Sequence, residues 1–117
     1  MLFKTKVKNV GEEARSFEDE KMIVLFGSQV PDELADFCYI IQTNSIEGEI
    51  TESNKLFIDG HEYNITKVGN VVNKNLGEMG HITLKFDGST VAEQAGTLYL
   101  EESALPHIAV GSSIEIG

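Results

Sequence analysis

The segment GEMGHITLKFDG, residues 77–88, contains the side chain best suited to chemistry in this sequence, His81. A neutral imidazole is a nucleophile and can hold a phosphoryl group, and an ordinary pKa of about 6.5 leaves most of it neutral at cytoplasmic pH. Thr83 and Lys85 follow at alternate positions, so a strand would place both on the face of His81, where the ammonium group offsets phosphate charge. Gly80 would let a backbone or a ligand approach closely. The alternative interpretation is structural: His81 only begins a strand.

The remaining candidate residues have weaker patterns around them. His61 follows a predicted hairpin turn, and His107 follows Pro106 in a connection near residue 117. No two histidines have a metal-ligand spacing, and the sequence contains neither a phosphate-binding glycine loop nor a dinucleotide fingerprint. We therefore expect no metal and no cofactor. Cys38 lies in an apolar run, which predicts a buried thiol rather than a reactive one.

The elements that must position these residues are mostly short strands separated by turn residues. Asp59-Gly60 between two strand-like runs predicts a tight hairpin, because glycine tolerates a positive φ. Residues 31–37 predict a short helix in which Leu34 and Phe37 share a buried face, and a further turn of helix is expected around Val71–Leu76. Strand 81–86 would have Ile82, Leu84 and Phe86 facing inwards. The pattern predicts an all-β fold, a small barrel or a sandwich, with a helical insertion near residues 31–37 and one domain covering 1–117.

The charge of the chain limits its partners. Nineteen acidic and nine basic residues give a net charge of −10 at pH 7. Such a surface repels nucleic-acid backbones and anionic membranes, whereas it would attract a basic protein. Acidic character also keeps many proteins soluble with no partner involved. The absence of a long apolar run, of a signal peptide in MLFKTKVKNV and of a cysteine pair predicts a cytoplasmic protein that does not insert into a membrane.

The chain resembles the glucitol/sorbitol-specific enzyme IIA components of the bacterial sugar phosphotransferase system. The best match is residues 63–88, YNITKVGNVVNKNLGEMGHITLKFDG, with Met79 where leucine is usual. The matching positions are Tyr63, Thr66, Val68, Gly69, Asn75, Leu76, Gly80, His81, Phe86, Asp87 and Gly88. Upstream PDELADFCYI and downstream Ala95-Gly96-Thr97 and 111–116 also resemble the family, so the resemblance covers nearly the whole chain.

The resemblance implies a cytoplasmic phosphocarrier subunit. Proteins of this family accept a phosphoryl group on a histidine from the carrier protein HPr and pass it to the IIB unit of the membrane transporter, whose IIC unit carries the sugar. HPr presents a basic patch around its own histidine, which would suit the acidic surface of this chain. Direct sugar binding is not implied, and the oligomeric state stays open, a homo-oligomer included.

One departure from the family bears on the mechanism. The resemblance places the phosphate-accepting histidine at Ile41 and a second histidine at Thr43, and neither side chain can carry a phosphohistidine. Two hypotheses follow. In the first, another histidine serves, and His81 is the candidate catalytic residue. In the second, the chain is a non-phosphorylated binding or regulatory module of the same system. A small barrel that binds an unrelated metabolite is a third, which no motif supports.

Overall fold

The computed structural model describes residues 1–117 and contains eight strands and two short α-helices. The strands are β1 (Phe3–Val10), β2 (Met22–Phe26), β3 (Tyr39–Ile41), β4 (Lys55–Ile58), β5 (His61–Val68), β6 (Ile82–Lys85), β7 (Thr97–Leu100) and β8 (Ser113–Ile116). The helices are α1 (Asp32–Ala35) and α2 (Val72–Met79), and one turn of 3-10 helix covers Glu18–Glu20. Neither helix is long and apolar enough to cross a bilayer.

The eight strands form a closed barrel in the order β1-β3-β2-β6-β7-β5-β4-β8. The neighbours β2 and β3 are parallel, as are β6 and β7, and the other pairs are antiparallel. Closure leaves no unpaired edge strand for another chain to extend. The prediction of an all-β fold is confirmed, and of the two architectures considered the barrel is the one observed.

The barrel interior is a packed core. The alternation predicted for β6 is observed, since Ile82, Leu84 and Phe86 are each at most 1 % exposed whereas Thr83 and Lys85 are partly exposed on the outer face. Inward side chains of all eight strands join one continuous hydrophobic cluster. Because hydrocarbon fills the interior, a functional site has to lie on the outer face or at an end of the barrel.

The hairpin at residues 59 and 60 is as predicted. Asp59 and Gly60 both have positive φ, 50° and 85°, and the strands on either side pair from Ile58 opposite His61. Two residues in the left-handed region give the turn whose twist matches that of the strands.

The two helical segments differ in part from the prediction. Helix α1 is a single turn, and the expectation that Leu34 and Phe37 share a buried face is wrong: they are 45 % and 39 % exposed. One turn at the outer wall offers too little surface to cover them, and Phe37 packs instead against Phe17, with ring centroids 6.0 Å apart. Helix α2 extends further than expected, to Met79.

Candidate functional site

The C-terminal cap of α2 determines the backbone position of His81. Gly80 adopts a left-handed conformation with φ of 67°, which glycine reaches without the steric cost of a Cβ atom. Its N–H points to the carbonyls of Asn75 and Leu76, and the N–H of His81 donates to the Asn75 carbonyl at 3.2 Å. These bonds use the carbonyls of Asn75 and Leu76 and turn the chain from α2 into β6. The backbone of His81 is therefore fixed by the helix cap.

The neighbouring strand β2 determines the orientation of the imidazole. Leu25 pairs with Ile82 in the antiparallel β2–β6 ladder, so the next residue, Phe26, lies beside His81. The two rings stack with centroids 4.2 Å apart and an angle of 10° between their planes. One face of the imidazole is thus covered by a hydrocarbon ring, while the side chain stays only half-buried.

Burial favours the neutral form of His81. Desolvation lowers the pKa of the imidazole below its ordinary value of 6.5, because a charged ring loses hydration in this environment. No side-chain nitrogen in the structure is buried without a partner, and the imidazole takes part in no side-chain hydrogen bond, so its nitrogens reach solvent. The arrangement gives a neutral imidazole with an accessible lone pair, the form that acts as a nucleophile.

His81 and Thr83 separate two cavities on the outer face of the barrel. The first, which we call the polar cavity, has a volume of about 370 Å³, and its lining includes Asn75, Lys85, Gln94 and Tyr99 in addition to the two shared residues. The second, which we call the apolar groove, has a volume of about 380 Å³ and is lined mainly by hydrophobic side chains, among them Phe26 and Phe37. A group on the imidazole therefore meets polar surroundings on one side and hydrocarbon on the other.

The polar cavity has a mixed charge. Lys85 follows Thr83 on the outer face of β6, as predicted, and its Nζ lies 3.8 Å from Asp87 Oδ2 in a partly exposed pair. Glu93, from the loop between β6 and β7, is a further wall residue and carries the opposite charge. The hydroxyl of Tyr99 accepts the N–H of Gln94 at 2.9 Å, which holds this loop against the barrel. Lys85 is the cavity's cation.

Ile41 and Thr43, the positions where the resemblance places histidines, lie at the same end of the barrel as His81, but in different environments. The ends of β2 and β3 and the start of β6 share one end of the barrel, because Phe26 pairs with Ile40 and Leu25 with Ile82. Ile41 points into the core with no exposed surface. Thr43 is exposed, and its hydroxyl lies so close to Gly80 that a Cβ atom at Gly80 would be 3.2 Å from it. The start of β6, with His81, therefore lies close to the end of β3.

The other candidate residues lie apart from this site. His61 and His107 line one smaller cavity of about 260 Å³. It is at the opposite end of the barrel, because β5 runs antiparallel to β6 and His61 begins it. No three His, Cys, Asp or Glu side chains cluster in a way that could hold a metal ion. Cys38 is buried as predicted, and desolvation raises the pKa of its thiol.

Two features of the site have no signal in the sequence. Phe26 ends an apolar run and looks like any other core residue, and only its pairing beside β6 makes it the stacking partner of His81. The wall formed by Gln94 and Tyr99 depends on the path of a loop that returns to the barrel eleven residues after β6. Lys85 and Thr83, by contrast, follow from strand periodicity alone.

Comparisons with known proteins agree with one another. Residues 2–115 match the family model described as "PTS system glucitol/sorbitol-specific IIA component". The proteins named "PTS system glucitol/sorbitol-specific EIIA component" from Shigella flexneri and Escherichia coli (strain K12) are each 30% identical over 115 residues, covering 98% of this chain and 94% of theirs. A crystal structure of the PTS system IIA component from Enterococcus faecalis V583 is 32% identical, with a TM-score of 0.83 over 97% of this chain and 98% of that one.

Proposed function

The chain belongs to the glucitol/sorbitol-specific IIA family of the phosphotransferase system, and from that premise we propose that it carries a phosphoryl group on His81. Family membership and the shared fold support a phosphocarrier role. The observation that supports His81 as the acceptor is its half-buried imidazole, neutral and reachable from solvent, beside a polar cavity that contains a lysine.

The proposed step is a transfer between two imidazoles. A lone pair of His81 forms a new P–N bond while the P–N bond to the donor's histidine breaks. The donor ring leaves with the electron pair of that bond and takes up one proton, and the ring of His81 gives up one. A neutral nucleophile is needed, and the lowered pKa of His81 supplies it over a wider pH range than an ordinary histidine would.

The polar cavity would receive the transferred group. A phosphoryl group adds close to two negative charges at neutral pH, and the ammonium of Lys85 offsets part of that charge. The hydroxyl of Thr83 and the amide of Asn75 are donors of the kind that phosphate oxygens accept. The carboxylate of Glu93 repels a phosphoryl group and lowers the affinity of the cavity for it. A lower affinity suits a carrier, because the carrier must pass the phosphoryl group on.

The family assigns this chain to a system of several components. We propose that HPr is the phosphoryl donor, that the IIB unit of a glucitol/sorbitol transporter with its IIC unit is the recipient, and that transfer takes place in the cytoplasm. Residues 1–117 would act as one IIA domain. A homo-oligomer is compatible with this role and is not required by it.

The second hypothesis, a non-phosphorylated module, was motivated by Ile41 and Thr43. The family match and the fold support the phosphocarrier role and do not favour the module. Position 41 is part of the core in this chain, so an acceptor has to be sought elsewhere. His81 is the histidine at the same end of the barrel.

The proposal is tested by incubating the chain with phosphoenolpyruvate, enzyme I and HPr and measuring intact mass for one acid-labile phosphate. A relative that keeps the family histidine is labelled in parallel. We expect one phosphate on the wild type, none on His81→Gln, and full labelling of the controls His61→Gln and His107→Gln.

Two results would contradict it. If the wild type stays unlabelled while the relative takes up phosphate, the chain is not a carrier and the module hypothesis takes its place. If His81→Gln is still labelled, another residue is the acceptor, and the two control variants identify which histidine it is.

A further inference from the structure

The polar cavity is larger than a phosphoryl group on His81 requires. Its volume of about 370 Å³ falls in the range of about 300–1,000 Å³ that is typical of small-molecule sites. A phosphoryl group has few atoms, and beside Lys85 it would fill only a small part of this space. The remaining part is bordered by Asn75, Glu93 and Gln94. The cavity therefore has the size of a site for a larger molecule that contains a phosphate.

The strand register builds the floor of the cavity. In the parallel β6–β7 pair, Thr83 lies opposite Thr97 and Lys85 lies opposite Tyr99, so these side chains share the outer face of the barrel. On the other side of β6, Met22 of β2 pairs with Lys85. The floor therefore combines two hydroxyl groups and an ammonium group with the hydrocarbon of Met22 and Tyr99.

The walls of the cavity come from two separate segments of the chain. Asn75 belongs to α2, and Glu93 and Gln94 belong to the loop before β7. The two segments meet at Gly96, where a Cβ atom would lie 3.7 Å from Asn75 Nδ2. The backbone N–H of Gln94 donates to the Tyr99 hydroxyl at 2.9 Å and holds the loop against the floor. The side-chain amide of Gln94 stays available to a ligand.

The polar side chains of the cavity are not used by the protein itself. Four of them neither donate nor accept a hydrogen bond: the amides of Asn75 and Gln94 and the hydroxyls of Thr83 and Thr97. Asn73, on the same helix as Asn75, differs. Its Oδ1 accepts the Ile50 N–H and its Nδ2 donates to the Gly48 carbonyl, each at 2.9 Å. Donors and acceptors left free around one cavity indicate a polar ligand.

The groups around the cavity match the chemistry of a phosphorylated polyol. Each hydroxyl of a polyol both donates and accepts hydrogen bonds, as the amides of Asn75 and Gln94 also do. The carboxylate of Glu93 accepts from hydroxyls, whereas it repels a second anion. Lys85 is the cation of the cavity and can pair with one phosphate. A ligand with one phosphate and several hydroxyls uses all of these groups, whereas a phosphate ion alone leaves the walls unpaired.

We propose that the polar cavity binds a phosphorylated polyol and that this ligand prevents phosphorylation of His81. Its phosphate would lie beside Thr83 and Lys85, and its hydroxyls would contact the walls. The inhibition rests on the phosphocarrier function proposed above. A phosphoryl group on His81 and the phosphate of the ligand need the same ammonium group, so the two states exclude each other. Where the transported polyol leaves the system with the relayed phosphate, the accumulated product would slow its own formation.

The first test titrates the chain with the phosphate ester glucitol 6-phosphate and follows the histidine ring protons by NMR. We expect the signals of His81 to shift, while those of His61 and His107, at the opposite end of the barrel, stay unchanged. Glucitol and inorganic phosphate are separate arms, and each should bind at least tenfold more weakly than the ester. Equal binding of inorganic phosphate would overturn the polyol contact, and equal binding of glucitol would overturn the phosphate contact. The absence of a shift at His81 would overturn the site.

Two variants test the two ends of the ligand. Gln94→Ala removes a wall amide but keeps the backbone N–H that contacts Tyr99, and it should weaken ester binding about tenfold. Gln29→Ala is the matched control, because Gln29 is an exposed amide outside the cavity. Lys85→Gln should abolish the preference for the ester over glucitol. Thermal melts establish that each variant is folded, and wild-type affinity in either cavity variant would contradict the contact that it removes.

Phosphate transfer tests the inhibition separately from binding. With saturating ester, phosphate uptake from HPr by the wild type should slow at least tenfold, whereas Gln94→Ala at the same ester concentration should slow less because it binds the ester more weakly. Unchanged uptake by the wild type would rule out the inhibition. Equal slowing of the two proteins would place the effect on the donor and would also rule it out. If the chain takes up no phosphate at all, the proposed function is wrong, and the NMR titration still decides whether the cavity binds the ester.

Discussion

The imidazole of His81 lies almost parallel to the ring of Phe26, with centroids 4.2 Å apart and 10° between the planes. The contact joins the start of one strand to the end of its neighbour. The ring of Phe26 covers one face of the imidazole and leaves the other face open. The orientation of the imidazole therefore depends on this cross-strand contact, and the ring of Phe26 contributes to the burial that lowers the pKa of His81.

The pKa of His81 provides a direct measure of this contact. Because desolvation lowers it, NMR titration of the ring protons should give a value below 6.5. Phe26→Ala should expose the imidazole and raise the pKa towards that ordinary value. Val24→Ala removes another groove side chain, on the same strand, that does not stack on the ring, and we expect a smaller rise. A value above 6.5 in the wild type would contradict the burial argument.

The same shift makes stability depend on pH. Below the ordinary pKa the unfolded chain binds a proton at His81 that the folded chain binds less tightly, so protonation favours unfolding. The contribution of His81 is fully present above 6.5 and is lost as the pH falls through the folded-state pKa. Urea denaturation at about pH 7.5 and about pH 5 should show a smaller loss of unfolding free energy in His81→Gln than in the wild type. An equal loss of unfolding free energy in the two proteins would contradict this contribution of His81.

Replacing Gly80 and Gly77 by alanine should change the free energy of unfolding in opposite directions. Gly80 has φ of 67°, and a Cβ atom there would meet the Gly27 nitrogen at 2.9 Å, so Gly80→Ala should lower the unfolding free energy. The cost is about 1–3 kcal/mol. Gly77 lies inside the helix, where a Cβ atom meets nothing closer than Ile46 Cδ1 at 3.7 Å. Gly77→Ala should stabilise by about 0.5–1 kcal/mol, which chemical denaturation can measure. If Gly80→Ala has the unfolding free energy of the wild type, the left-handed helix cap at Gly80 is wrong.

Lys85 should matter for the phosphorylated state more than for the fold. Lys85→Gln removes the positive charge from the cavity and breaks the ion pair with Asp87, in which Nζ and Oδ2 are 3.8 Å apart. Because this pair is partly exposed, it contributes little to stability, and we expect little change in melting temperature. Phosphate uptake should slow by roughly tenfold, which corresponds to about 1.4 kcal/mol of transition-state stabilisation. Quench-flow labelling measures the rate, with Lys4→Gln on the exposed face of β1 as the matched control. Equal rates in the two variants would remove Lys85 from the site.

The sequence alone determined the local and periodic features of this protein. Alternation predicted that Ile82, Leu84 and Phe86 face inwards and that Thr83 and Lys85 face outwards with His81, because side chains alternate along any strand. Asp59-Gly60 predicted its hairpin, since the turn depends on the φ values of those two residues. The family was also visible, because the segment that resembles it most, residues 63–88, is continuous in the chain; the family model matches residues 2–115.

Only the tertiary structure decided what surrounds His81. Phe26 lies 55 positions earlier in the chain, and strand pairing, which periodicity does not specify, brings it into contact. The same packing left Leu34 and Phe37 exposed, against expectation, because a single helical turn could not cover them. Closure of the barrel placed Ile41 in the core and His81 on the outer face at the same end. Which side chains are open to a partner is a property of packing between distant segments, and no local pattern encodes it.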